Sequence, residues 1–113
     1  MRVNGTDLAM TRGDSEAIKV TVKDSTGVAV PLVTGDTIYF TVKTGTDRTE
    51  KILQKVVTEF IDGEALVTID PIDTKELKVR MYFYDVQLSK ASGSVKTIVR
   101  PSAFTIESEV TYE

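Results

Sequence analysis

The sequence predicts an all-β fold, an antiparallel sandwich of about seven short strands with one helical turn near residues 71–77. Three observations point there. Apolar residues recur at every second position through most of the chain, and turn-forming Gly, Asp and Ser separate these runs. No segment has the length and period of the crossover helices that a parallel sheet requires. The 113 residues read as a single domain, 1–113, because a chain of this size supports one core and would make two marginal ones.

The first strong run spans residues 16–24, where Ile18, Val20 and Val22 alternate with Lys19, Thr21 and Lys23. Asp24-Ser25-Thr26-Gly27 then suits a tight turn, since Asp bonds its own backbone and Gly tolerates positive φ. A second strand covers 37–43, with Ile38, Phe40 and Val42 on one face and Thr37, Tyr39 and Thr41 on the other. Residues 44–50 lack periodicity and read as a flexible loop. Over 51–60 the apolar spacings of three and four also fit a helix, but the β-branched residues favour a strand. Asp62-Gly63 followed by Ala65-Leu66-Val67-Thr68-Ile69 reads as the turn and return of a hairpin. Asp70-Pro71 opens the one helical signal: Asp70 caps, Pro71 takes the first helical position, and Asp73 with Glu76 has capping-box spacing. A long strand follows over 79–89, with Tyr82, Tyr84, Val86 and Leu88 inward and Met81, Phe83, Asp85 and Gln87 outward. After the Ala91-Ser92-Gly93 turn, residues 95–100 and 103–111 form two further strands.

Composition narrows the chemistry. With 14 basic and 17 acidic residues the formal charge is -3, too small to recruit nucleic acid or an anionic membrane through bulk electrostatics. No apolar run approaches the ~20 residues of a membrane span, and Met1-Arg2-Val3-Asn4-Gly5-Thr6-Asp7 lacks the apolar stretch of a signal peptide. The expectation is a soluble chain made in the cytoplasm, not inserted in a membrane. Cysteine, histidine and tryptophan are all absent, which removes disulfides, thiolate metal sites and the commonest general base. Nucleophilic catalysis is left with carboxylate pairs or Ser/Lys dyads. Asp70 and Asp73 are the nearest to a metal or acid–base pair, and helix capping accounts for both. No phosphate-binding glycine motif occurs. The expectation is a protein without enzymatic activity and without a cofactor.

Two sets of residues are candidates for contact with other molecules. Arg12-Gly13-Asp14 spells the adhesion tripeptide, although its glycine also serves as a break before the next strand. Met81 and Phe83, together with Tyr39, fall on the outer surface of a sheet, where apolar side chains mark an interface. Tyr82 and Tyr84 are instead core residues, with a hydroxyl free to bond backbone at a strand corner.

The chain also resembles the BppU-type N-terminal domain family of bacteriophage baseplate and tail proteins along most of its length. The resemblance rests on ordered pieces: Met10-Thr11-Arg12-Gly13-Asp14-Ser15, Asp24 to Gly27 followed by Val30-Pro31-Leu32, Gly35-Asp36-Thr37-Ile38, Asp62-Gly63-Glu64-Ala65, Asp73-Thr74-Lys75-Glu76-Leu77, Val95-Lys96-Thr97-Ile98-Val99 and Phe104-Thr105-Ile106 ending in Glu109-Val110-Thr111. Tyr82-Phe83-Tyr84-Asp85-Val86-Gln87-Leu88 is the most specific. One departure is Lys78-Val79-Arg80, which stands where a glycine-containing turn usually introduces the tyrosine strand. The resemblance implies an immunoglobulin-like sandwich that serves as a structural module of a phage or prophage particle. Its partners would be other tail or baseplate proteins, or further copies of itself. The alternative is a carbohydrate- or cell-surface-binding adhesion module, since sandwiches also carry such sites.

Overall fold

The computed structural model describes residues 1–46 and 50–110 and is an all-β sandwich with one short helix. Strands β1 (Arg2–Asn4), β2 (Asp7–Thr11), β3 (Glu16–Val20), β4 (Thr37–Lys43), β5 (Lys51–Val57) and β6 (Ala65–Ile69) are followed by α1 (Pro71–Thr74), β7 (Arg80–Ser89) and β8 (Val95–Glu107). Six strands form one sheet in the order β1-β2-β8-β7-β4-β5, and β3 pairs with β6 in the second. With β3 and β6 facing a sheet built on β4, β7 and β8, the connectivity is immunoglobulin-like.

The period-two pattern places the core as expected. Ile38, Phe40 and Val42 of β4 are fully buried, as are Val67 and Ile69 of β6, and Tyr82, Tyr84, Val86 and Leu88 of β7 lie in the same cluster. Phe40 sits at the centre: its ring is 5.1 Å from Tyr84 and 6.0 Å, edge to face, from Phe104, a geometry that complements the ring quadrupoles. The Tyr82 hydroxyl donates to the Lys78 carbonyl at 2.9 Å, which is a tyrosine corner at the entry to β7. Arg80 lies over the same ring at 5.2 Å.

Several expectations are corrected. The N-terminal β1–β2 hairpin adds two strands, and with the last two expected runs joined in β8 the described residues hold eight; Gly5 at φ 63 makes its two-residue turn. The pairing is antiparallel except for β2, which runs parallel to β8. Residues 51–57 are a strand, yet β5 and β6 are not a hairpin, because β5 pairs with β4 and β6 with β3. The Asp62-Gly63 turn does form, with both residues at positive φ and Ile61 bridged to Glu64. It is seated against the 31–32 segment, where a Cβ on Gly63 would come within 2.8 Å of Pro31, and Leu32 N–H donates to the Gly63 carbonyl at 2.9 Å. The chain changes sheets here because Ala65, Val67 and Ile69 are apolar enough to cover the opposite layer.

The two runs at 95–100 and 103–111 are one strand as far as Glu107. Tyr84 faces Ser102 while Val86 faces Val99, so one β7 residue opposes two on β8, Arg100 and Pro101. A bulge is where a proline without an N–H is tolerated in a strand. Asp70 is the helix cap as expected, and the capping-box pair is the one that differs. Pro71 fixes the first helical position, so the capping box is Asp70 with Asp73 rather than Asp73 with Glu76; the Asp70 N–H donates to the Asp73 carboxylate at 2.7 Å. The strand expected over 16–24 ends at Val20, with an isolated bridge from Lys23 to Ala29. Asp24 turns the chain by accepting from the Thr26 and Val28 N–H groups. Of the loop expected at 44–50, residues 47–49 lie outside the described residues, as does Thr111 of the expected final strand.

Phe40→Ala is expected to lower unfolding stability in urea by about 3–5 kcal/mol, the cost of a cavity at the core centre. Tyr82→Phe, which removes one hydrogen bond and keeps the ring, is expected to cost about 1 kcal/mol.

Candidate interaction surfaces

Alternation along β7 turns Met81, Phe83, Asp85 and Gln87 to the outer face of the large sheet, and Met81 is 48% exposed. Phe83 is half-buried between Lys43 of β4 and Ala103 of β8, which are its register partners. Tyr39 shares this face but lies opposite Gln87 and Val56, four residues along the strand from the level of Phe83, or about 13 Å. The three candidate interface residues therefore make two apolar spots, Met81 with Phe83 at one end and Tyr39 with Val56 at the other. The antiparallel register decides this, since it sets Lys43 rather than Tyr39 beside Phe83.

Between the two spots runs a polar groove of about 270 Å³ lined by Tyr39, Thr41, Gln54, Asp85 and Gln87. Gln54 donates to the Thr41 hydroxyl at 3.0 Å. Partial burial raises the pKa of Asp85, and the nearby Lys43 charge opposes that shift. The groove presents hydrogen-bonding groups and one aromatic ring. Among the described residues, no three acidic side chains converge on a point that could hold a metal ion.

The Arg12-Gly13-Asp14 tripeptide is folded into the body of the molecule. The Arg12 guanidinium makes a two-pronged pair with Glu109, at 2.9 Å from Nη2 and 3.1 Å from Nε, and donates to the Leu77 carbonyl at 3.1 Å. Gly13, at φ 83, donates its N–H to the buried Thr74 hydroxyl at 2.8 Å. Asp14 is exposed, and its N–H closes a turn to the Thr11 carbonyl. The guanidinium that an adhesion receptor would need is thus spent on joining β2, the α1 corner and the segment after β8. Asp70 and Asp73 are similarly occupied: Lys55 Nζ lies 2.7 Å from Asp73 and 3.8 Å from Asp70, so an internal cation balances the cap.

A third surface was missed. Along one side of the sandwich an open cleft of about 350 Å³ separates β3 from β8, with Val3, Leu8, Ile18, Val86, Ile98 and Val99 in its walls. Sequence patterning assigns residues to faces of a sheet, and this cleft lies between two sheet edges. Only the topology exposes it. The Met1 amino group bonds Glu16 at 2.8 Å at its margin.

No protein-family model matches the chain, and a search of curated proteins finds no relative.

Hydrogen bonds from Arg12 lower the pKa of Glu109 below its ordinary 4.5. A carboxylate with a lowered folded pKa contributes stability that is complete above its unfolded value and is lost as pH falls through the folded one. Glu109→Gln is accordingly expected to reduce the melting temperature at pH 7 and to leave it nearly unchanged below pH ~3, measured by calorimetry across that range. An equal deficit at both ends would show that Glu109 acts through packing.

Proposed function

We propose that this chain is a non-catalytic structural module of a bacteriophage or prophage tail or baseplate, working through protein–protein contacts in the particle after synthesis in the bacterial cytoplasm. The observation that carries the reading is the β7 strand, Tyr82-Phe83-Tyr84-Asp85-Val86-Gln87-Leu88. It is the most specific part of the resemblance to the phage domain family. Its inward residues build the core and the corner, while Met81 and Phe83 leave apolar surface on a sheet exterior. A methionine half in water beside a phenylalanine is stabilised by a covering partner, at roughly 25 cal/mol per Å² of apolar area removed from water. Reactive groups play no part in this reading, which relies on shape and apolar area alone.

A carbohydrate-binding reading is the alternative, favoured by the groove at Tyr39. An aromatic face flanked by Gln54, Asp85 and Gln87 supplies stacking and planar hydrogen-bond partners of the kind that suit a sugar ring. Binding on a glycan array that is lost in Tyr39→Ala would support it.

For the leading reading, Met81→Asp combined with Phe83→Ser is expected to lower the associated mass seen by light scattering, with the circular dichroism of the fold retained. An unchanged mass with an intact fold would defeat it.

A further inference from the structure

The cleft between β3 and β8 has the form of a place for one more strand. Residues 17–21 line it consecutively. Side chains of successive strand residues point to opposite faces, so a wall made of five in a row is the strand's edge. Among the described residues β3 pairs with β6 alone, which leaves the backbone groups on its other side without a strand partner there. Across the cleft, β2 pairs with β8 only from Phe104 to Glu107, and Ile98 and Val99 stand on the stretch that, among the described residues, β7 alone holds. The floor between the two edges is apolar, with Leu8, Ile18 and Val86 reaching it from both sheets.

Lys19 lines the cleft, and two more cations flank its lining residues in sequence. Lys96 and Arg100 flank Ile98 and Val99, are exposed, and make no ion pair among the described residues. Lys19 is only 3.9 Å from Glu64, at the limit of an ion pair. The neighbouring carboxylates are engaged, Glu16 by the Met1 amino group and Glu107 by Arg2. A second copy fits poorly. Edge-to-edge pairing of β8 with its own copy would bring Lys96 and Arg100 against like charges, and the bulge at Arg100 and Pro101 interrupts the ladder.

We infer that this cleft docks one extended segment of a different protein, which adds a strand to the free edge of β3, places alternate apolar side chains on the cleft floor and sets carboxylates against Lys19, Lys96 and Arg100. Strand addition supplies main-chain hydrogen bonds for affinity and pockets at alternate positions for selectivity. The inference rests on the reading of the chain as a protein-contact module and uses a different surface from Met81 and Phe83.

The probe is the peptide Glu-Val-Thr-Val-Thr-Val-Glu, titrated into the whole isotope-labelled chain and followed by amide chemical shifts. Saturable shifts are expected at residues 17–21 and 96–100, with affinity roughly tenfold higher than for the same peptide carrying lysines at both ends. Proline at the central valine should abolish them, and Lys96→Glu with Arg100→Glu should reverse the charge preference. Absence of saturable shifts, shifts centred on Met81 and Phe83, or indifference to the proline would overturn the inference. If the peptide fails while Met81→Asp with Phe83→Ser still disperses the assembly, the cleft reading falls alone; if both fail, the contact-module reading falls with it.

Discussion

In this sandwich the pair formed by β3 and β6 has to cover the inner face of a six-stranded sheet, and that imbalance shapes the rest of the molecule. The inward residues of β4, β7 and β6 seal the centre, with Ile38, Phe40, Val42 and Val67 fully buried. Toward β8 the cover ends at the edge of β3. There the core is reached from outside, through a cleft whose mouth holds Val3 at 65% exposure. Stability and contact surface come from the same geometry: dense packing where two layers meet, and open edges where one layer is narrower.

Without cysteine, no disulfide ties the layers together, so packing and a few placed hydrogen bonds must specify the register. Phe40, Tyr84 and Phe104 form an aromatic cluster that joins β4, β7 and β8. The ends are fixed by polar contacts: Tyr82 to Lys78, Arg12 to Glu109 and Leu77, and Gly13 to Thr74. These last contacts give the Arg12-Gly13-Asp14 tripeptide a structural purpose, because it sits where the start of the chain, the helical corner and the segment after β8 meet.

Local pattern was enough to find what depends on local pattern. The alternation through β4 and β7 identified the inward residues, the Asp24 turn followed from its own side-chain chemistry, and Pro71 placed the helix. What escaped depends on distant partners. Asp62-Gly63 carries a sound turn signal, yet whether the strands beside it pair with each other is decided by β3 and β4. The parallel pairing of β2 with β8 joins segments about a hundred residues apart, and nothing within either one encodes it. Tyr39 was grouped with Met81 and Phe83 because all three point outward; the register across β4 and β7 then separated them. The cleft was invisible for the same reason, since its walls are edges.

The surfaces this chain offers to other molecules follow from the uneven layers and from the outward residues of β7. Among the described residues β3 and the first part of β8 each have one strand neighbour, and their unpaired edges face each other across the cleft. Hydrogen exchange of the isolated chain at neutral pH tests this arrangement most directly. Amides of β4 and β7 are expected to exchange only through global unfolding, while alternate amides of β3 and of residues 95–100 exchange by local opening. Protection of every β3 amide equal to that of β4 would contradict it.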